Sequence, residues 1–143
     1  MRKCVLLLAS LLVLPISSWA RGHSNPVVDS LLTALESQPE RQQPRTLMNI
    51  GVALDGLKDP AADTYLREAH DKALAIDSLA LAGEAAYEYA FYYYYSSQFD
   101  SALHWANLSA ERYLAANSPD YTKALDWLGS LYNMTGDLKA VDS

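Results

Sequence analysis

The feature that most limits how this 143-residue chain can fold is a seam motif that returns at a fixed interval. Leu47-x-x-Ile50-Gly51-x-x-Leu54 is matched by Ala86-x-x-Tyr89-Ala90-x-x-Tyr93, and again by Leu125-x-x-Leu128-Gly129-x-x-Tyr132. Gly51, Ala90 and Gly129 stand 39 residues apart. At this spacing the three flanking positions share one helix face, and the small residue between them lets a second helix come close. A recurrence of this length marks stacked supersecondary units, none of which can bury its apolar face alone.

Helical spacing fills the remainder. Pro26 suits a first helical turn, and Val27, Leu31, Leu32 and Leu35 follow at three- and four-residue steps before a polar break over residues 38–44. Further helices are expected near residues 45–57, 61–75, 78–96, 98–115 and 119–135. They are separated by Lys58-Asp59-Pro60, Ile76-Asp77-Ser78, Ser96-Ser97 and the stretch from Ala116 to Pro119. Asp77 or Ser78, and Ser118, are candidate N-caps. No stretch alternates apolar and polar residues between turn signals, so the expected class is all-α with no sheet.

The third motif, continued by Gly136-Asp137-Leu138, resembles the first helix and turn of the tetratricopeptide repeat family. Phe99-x-x-Ala102 resembles the start of that family's second helix, while Ala106 departs from it where an aromatic is usual; Trp105 or Tyr113 is expected to compensate. The interval is longer than the family's usual one and approaches that of HEAT-like repeats. The resemblance implies a right-handed solenoid of antiparallel helix pairs with about two and a half units. Its boundaries would be residues 45–77, 78–116 and an incomplete 117–143, after a lead-in with a first helix at 21–44. Residues 138–143 supply little more than one turn of a last helix. Leu128, Leu131 and Tyr132 are therefore expected to lack a cover, the C-terminal end to fray, and the chain to be the leading part of a longer repeat protein. Exported repeats that open with a helix such as Val28-Asp29-Ser30-Leu31-Leu32 resemble the sensor portions of bacterial membrane-anchored regulators.

Met1-Arg2-Lys3, an uncharged apolar run over residues 5–14, Pro15, and the small residues Ser18 and Ala20 follow the order of a secretory signal peptide. That run is about half the length a membrane span needs, so residues 1–20 are expected to be cleaved after Ala20 and the protein to be periplasmic or secreted. The exported chain would hold 123 residues and no cysteine, with nine basic against 17 acidic side chains. Contact with a membrane is expected only through the signal segment or a region beyond this sequence. The acidic balance argues against a nucleic-acid binder, which needs a basic face to neutralise phosphates. A lone Cys4 excludes an intrachain disulfide and four-thiol metal sites, leaving stability to packing.

Little in the sequence points to catalysis. His23, His70 and His104 form no i, i+4 ligand pair, and there is no serine nucleophile elbow, phosphate loop or dinucleotide glycine pattern. No catalytic residue, metal or cofactor is expected. Glu84 and Glu88 read as a solvated acidic face. Asn107-Leu108-Ser109 and Asn133-Met134-Thr135 match a glycosylation pattern but fall inside expected helices.

Seven aromatic residues crowd the nine positions from Tyr87 to Tyr95, too many for one face of a helix. Tyr89 and Tyr93 belong to the seam, and Glu88, Tyr92 and Tyr95 form a peripheral stripe. Glu84, Tyr87, Phe91 and Tyr94 form a third stripe facing away from the paired helix. The family resemblance places this stripe in a concave groove, with Arg45, Met48, Val52 and Asp55 before it and Lys123, Asp126, Ser130 and Asn133 after it at the 39-residue register. These rings either line that groove or pack between neighbouring units. The expected function is a non-catalytic exported scaffold that binds a protein or peptide, its own copy included. The alternatives are a stand-alone dimerisation module and, from a different class, a fragment of a helical glycan-active enzyme. The enzyme would need paired acids in a deep cleft and many more residues.

Overall fold

Asn25 starts the first helix: its side-chain Oδ1 accepts the backbone N–H groups of Val27 and Val28 at 3.0 and 3.2 Å, and Pro26 follows it. The computed structural model describes residues 25–141, with side chains through residue 136; the expected signal segment lies outside them. Among the described residues there are six α-helices and no strand. They are α1 (Pro26–Ser37), α2 (Gln43–Gly56), α3 (Ala62–Ala75), α4 (Leu79–Tyr95), α5 (Phe99–Ala115) and α6 (Tyr121–Val141), with a 3-10 turn at Glu40–Gln42. None of these helices is long and apolar enough to cross a membrane.

Each helix packs on the one before and the one after it, and α2 also touches α4. This sequential all-α packing is consistent with a helix-pair repeat. The seam motifs explain the pairs. Leu47, Ile50 and Leu54 are at most 1% exposed, and a Cβ placed on Gly51 would lie 2.6 Å from Leu66 Cγ, so α3 rests directly on the α2 backbone. Between α4 and α5 the contact uses Ala90, Ala102 and Ala106. Ser109 Oγ donates to the Gly83 carbonyl at 2.8 Å in the same pair. Trp105 packs beside Ala106 in this pair, while the buried Tyr113 lies against Gly83, where an added Cβ would come 2.9 Å from its ring.

Four helix ends share one backbone turn. Lys58, Asp77, Ser97 and Asn117 have φ of +58°, +56°, +59° and +50°, and none is glycine. At each, the N–H of that residue and of the next return to carbonyls of the last helical turn: Lys58 to Asp55 and Asp59 to Leu54 after α2, for example. This is the Schellman closure, which satisfies carbonyls the helix leaves free. Asp77 therefore closes α3, and Ser78, the other candidate, holds the N-cap position of α4 without a side-chain capping bond. Ser118 accepts the Asp120 N–H at 3.3 Å in the turn before α6 and does not cap that helix either.

A second correction concerns the C-terminal end. The expected turn at Gly136-Asp137 is absent, and α6 runs through it to Val141. Lys58, Ser97 and Gly136 occupy the same register position, yet only the first two adopt positive φ. A turn is rewarded by a following helix that packs back on the seam; α5 packs on α6 from one side, and no described helix follows α6 to do so from the other. Leu131 also departs from expectation: it is fully buried with Ala90, Ala102 and Ala106. Leu125 and Tyr132 are exposed at 42% and 54%.

Candidate functional site

Helix α4 organises the surface because it buries small residues. Ala82, Gly83, Ala85, Ala86, Tyr89 and Ala90 face inward. The helix thus sits close to its neighbours, and its remaining rings are forced toward the periphery in three directions.

The first direction is polar. Tyr89 is buried, yet its hydroxyl donates to Asp63 Oδ1 and accepts from Arg67 Nη2 at 3.1 Å. Tyr93 donates to the same carboxylate oxygen at 3.1 Å, and Arg67 also reaches Asp63 Oδ2 at 3.2 Å. Burial pushes the Tyr89 hydroxyl well above its ordinary range, and its bonds to Asp63 and Tyr93 push the same way against the Arg67 bond. The cluster therefore fastens α3 to α4 with a neutral phenol and is structural.

The second direction holds the sequence-derived stripe. Tyr87 and Phe91 meet edge-on at 5.0 Å, Phe91 stacks on Trp127 at 4.2 Å with the rings 2° apart, and Tyr94 meets Trp127 edge-on at 5.2 Å. Lys123 Nζ lies 4.2 Å above the Tyr87 ring. All three stripe residues are half-buried, so each ring both contacts α6 or its own neighbours and keeps a face toward solvent. Burial raises the Tyr87 hydroxyl above its usual value, with Glu88 adding to it. Glu88 is likewise raised, by burial first, against the pull of Lys123.

The other expected groove residues do not form one lining. Arg45 makes a two-pronged ion pair with Glu84 at 3.1 and 2.9 Å, joining α2 to α4 across one 39-residue step. Met48 is 5% exposed and belongs to the core with Leu47 and Leu66, so it presents nothing to a ligand. Val52 is exposed on α2, and Asp126, Ser130 and Asn133 are exposed on α6. Asp55 lines a different feature, an open depression of about 230 Å³ with Lys58, Asp59, Pro60, Tyr92, Tyr95 and Ser96. This third direction of α4 rings was read from sequence only as a peripheral stripe.

Sequence reasoning missed Trp127, which stands at the register position of Glu88, outside the stripe, and meets Phe91 and Tyr94 only once α6 is docked. It also missed His70, which is 4% exposed, has its ring edge-on to Trp105 at 5.1 Å, and is held below its usual pKa by burial first and by Arg112. Its Nδ1 faces Asp71 Oδ1 at 3.2 Å. Among the described residues no group of His, Cys, Asp and Glu is arranged to hold a metal ion. No protein-family model, curated protein or solved structure matches the chain. What the geometry defines is a helical domain of sequentially packed helices whose distinctive surface is aromatic.

Proposed function

We propose that residues 45–143 form a tetratricopeptide-like right-handed solenoid of helix pairs, and that the chain is an exported, non-catalytic scaffold for a protein or peptide. In this reading it is the sensing part of a longer signalling protein. The repeat assignment is supported by the recurrence of one turn at Lys58 and Ser97 and by the register-spaced Arg45–Glu84 pair. The binding role rests on one observation, the row of half-exposed rings Tyr87, Phe91 and Tyr94 continued by Trp127. Such rings lose little side-chain entropy on contact and offer hydroxyl groups at the margin, which suits them to anchor an apolar peptide.

The test uses an arrayed library of short peptides rich in apolar side chains. Peptides selected by the full chain bind the Tyr87→Ala/Tyr94→Ala variant at least about 30-fold more weakly, the loss expected of a ~2 kcal/mol anchor. Far-UV circular dichroism stays unchanged. Equal binding, or loss of helix in the variant, rejects this surface as the site.

A further inference from the structure

The depression of about 230 Å³ lies where α2 and α4 both end, with Asp55 in the last turn of α2 and Tyr92 and Tyr95 in the last turn of α4. A helix C-terminus carries roughly half a negative charge and favours a cation beside it. Of the four helices closed by the left-handed turn, α3 and α5 hold a basic residue in the last turn, Lys72 and Arg112. The two that end at the depression hold none. Asp55 and Asp59 add two carboxylates to this negative field, against Lys58 in the same lining. Asp59 Oδ1 accepts the Ala61 N–H at 2.9 Å, which holds that carboxylate in place. The turn itself does not call for these charges. Thirty-nine residues on, Tyr94, Ser97 and Gln98 stand in place of Asp55, Lys58 and Asp59, and the same turn closes.

The rings decide which kind of cation fits. Lys58 Nζ stands 5.9 Å from the centroid of the Tyr95 ring, at the outer reach of a cation–π contact. Tyr95 is 64% exposed, so its ring is open to a ligand as well. A hard metal ion takes oxygen ligands on every side, and no group of His, Cys, Asp and Glu among the described residues is arranged to hold one. Tyrosine rings beside carboxylates match an organic cation, whose alkyl groups touch the rings while the acids and helix ends offset its charge. The volume is below the ~300 Å³ of an ordinary small-molecule pocket, which suits a single head group. We propose that this depression binds an alkylammonium group, carried by a free small molecule or by a methylated lysine side chain, with Lys58 as its competitor within the chain. The site is separate from the Tyr87, Phe91 and Tyr94 row and does not depend on the role assigned to that row.

The probe is choline, titrated into the full chain and followed by NMR of the backbone amides. Saturable shifts are expected at residues 55–59 and 92–97, and are retained in the Tyr87→Ala/Tyr94→Ala variant. The uncharged analogue with carbon in place of the choline nitrogen binds at least about tenfold more weakly, and Tyr95→Ala and Asp55→Asn each weaken choline at least about threefold. Lys58→Met removes the competitor and leaves both rings, so it tightens choline by about threefold or more. A short peptide with one trimethyllysine separates the two sources: tighter binding than choline assigns the site to a side chain, and equal or weaker binding assigns it to a small molecule. Absence of saturable shifts, equal binding of the uncharged analogue, or a Lys58→Met variant that binds choline no better overturns the proposal. Displacement of choline by an equimolar amount of calcium chloride would make this a metal site and overturn it too.

Discussion

The four left-handed residues at the helix ends allow a quantitative test of the turn geometry. A non-glycine residue in this region carries roughly 1–2 kcal/mol of steric cost, because its Cβ crowds the following carbonyl oxygen. Replacement by glycine removes that cost but returns about 0.4–1 kcal/mol of disorder to the unfolded chain. The difference is a gain of about 0.5–1 kcal/mol at each site. Asp77 and Ser97 are the cleanest positions, since both are exposed and the bonds that close their turns are made by backbone. Asp77→Gly and Ser97→Gly together should add roughly 1–2 kcal/mol, or several degrees of melting temperature for a domain of this size. Asp77→Gly should gain less than Ser97→Gly, and Asn117→Gly least, because aspartate and above all asparagine already tolerate this conformation. Urea unfolding followed by circular dichroism is the assay, with Ala80→Gly on the exposed side of α4 as a control of opposite sign, costing about 1 kcal/mol. If Asp77→Gly and Ser97→Gly lower the unfolding midpoint as Ala80→Gly does, these residues are not left-handed in solution and the reasoning is refuted.

Two further outcomes follow from buried groups. Tyr89→Phe strips the hydroxyl that joins Asp63, Arg67 and Tyr93, and should cost about 1–2 kcal/mol, whereas Tyr92→Phe should stay within about 0.5 kcal/mol; equal effects in urea unfolding would remove the cluster's structural role. His70 favours its neutral form when folded, so its contribution is complete above the unfolded value of about 6.5 and is lost as pH falls from there toward the lowered folded value. Trp105, Asp71 and Arg112 are the groups set around it. The drop in melting temperature from pH 7 to pH 5 should shrink in His70→Leu, and an unchanged drop would contradict a depressed His70.

The helices were legible in the sequence because Pro26, the seam motifs and the recurring polar breaks state where each apolar face starts and stops. Every expected boundary from α2 to α5 falls within two residues of the observed one. The turns were less legible. Lys58 and Ser97 give no local sign of a left-handed backbone, which is imposed by the packing of the helices on either side. Gly136 gave the opposite error: its freedom to turn was read as a turn, but freedom alone does not bend a helix when no described helix follows to pack back on it. At the candidate site, periodicity grouped Tyr87, Phe91 and Tyr94, whose rings meet one another or Trp127, while the inward tilt of Met48 and the stacking of Trp127 depend on helix crossings that no single-helix pattern contains.

The shared turn has a consequence for how such a chain can change in length. Lys58 and Ser97 are equivalent points 39 residues apart, entered and left with nearly the same backbone angle. A segment cut between them carries one complete α3–α4 module whose two ends present matching geometry. Duplicating or deleting that segment joins like to like, without a new loop to be invented. Since described contacts run almost wholly between successive helices, a change in module number alters only the junction, where after a deletion α5 would meet α2 in place of α4. For this architecture the number of modules is a variable that recombination can alter in one step, and the extent of exposed helical surface grows or contracts with it.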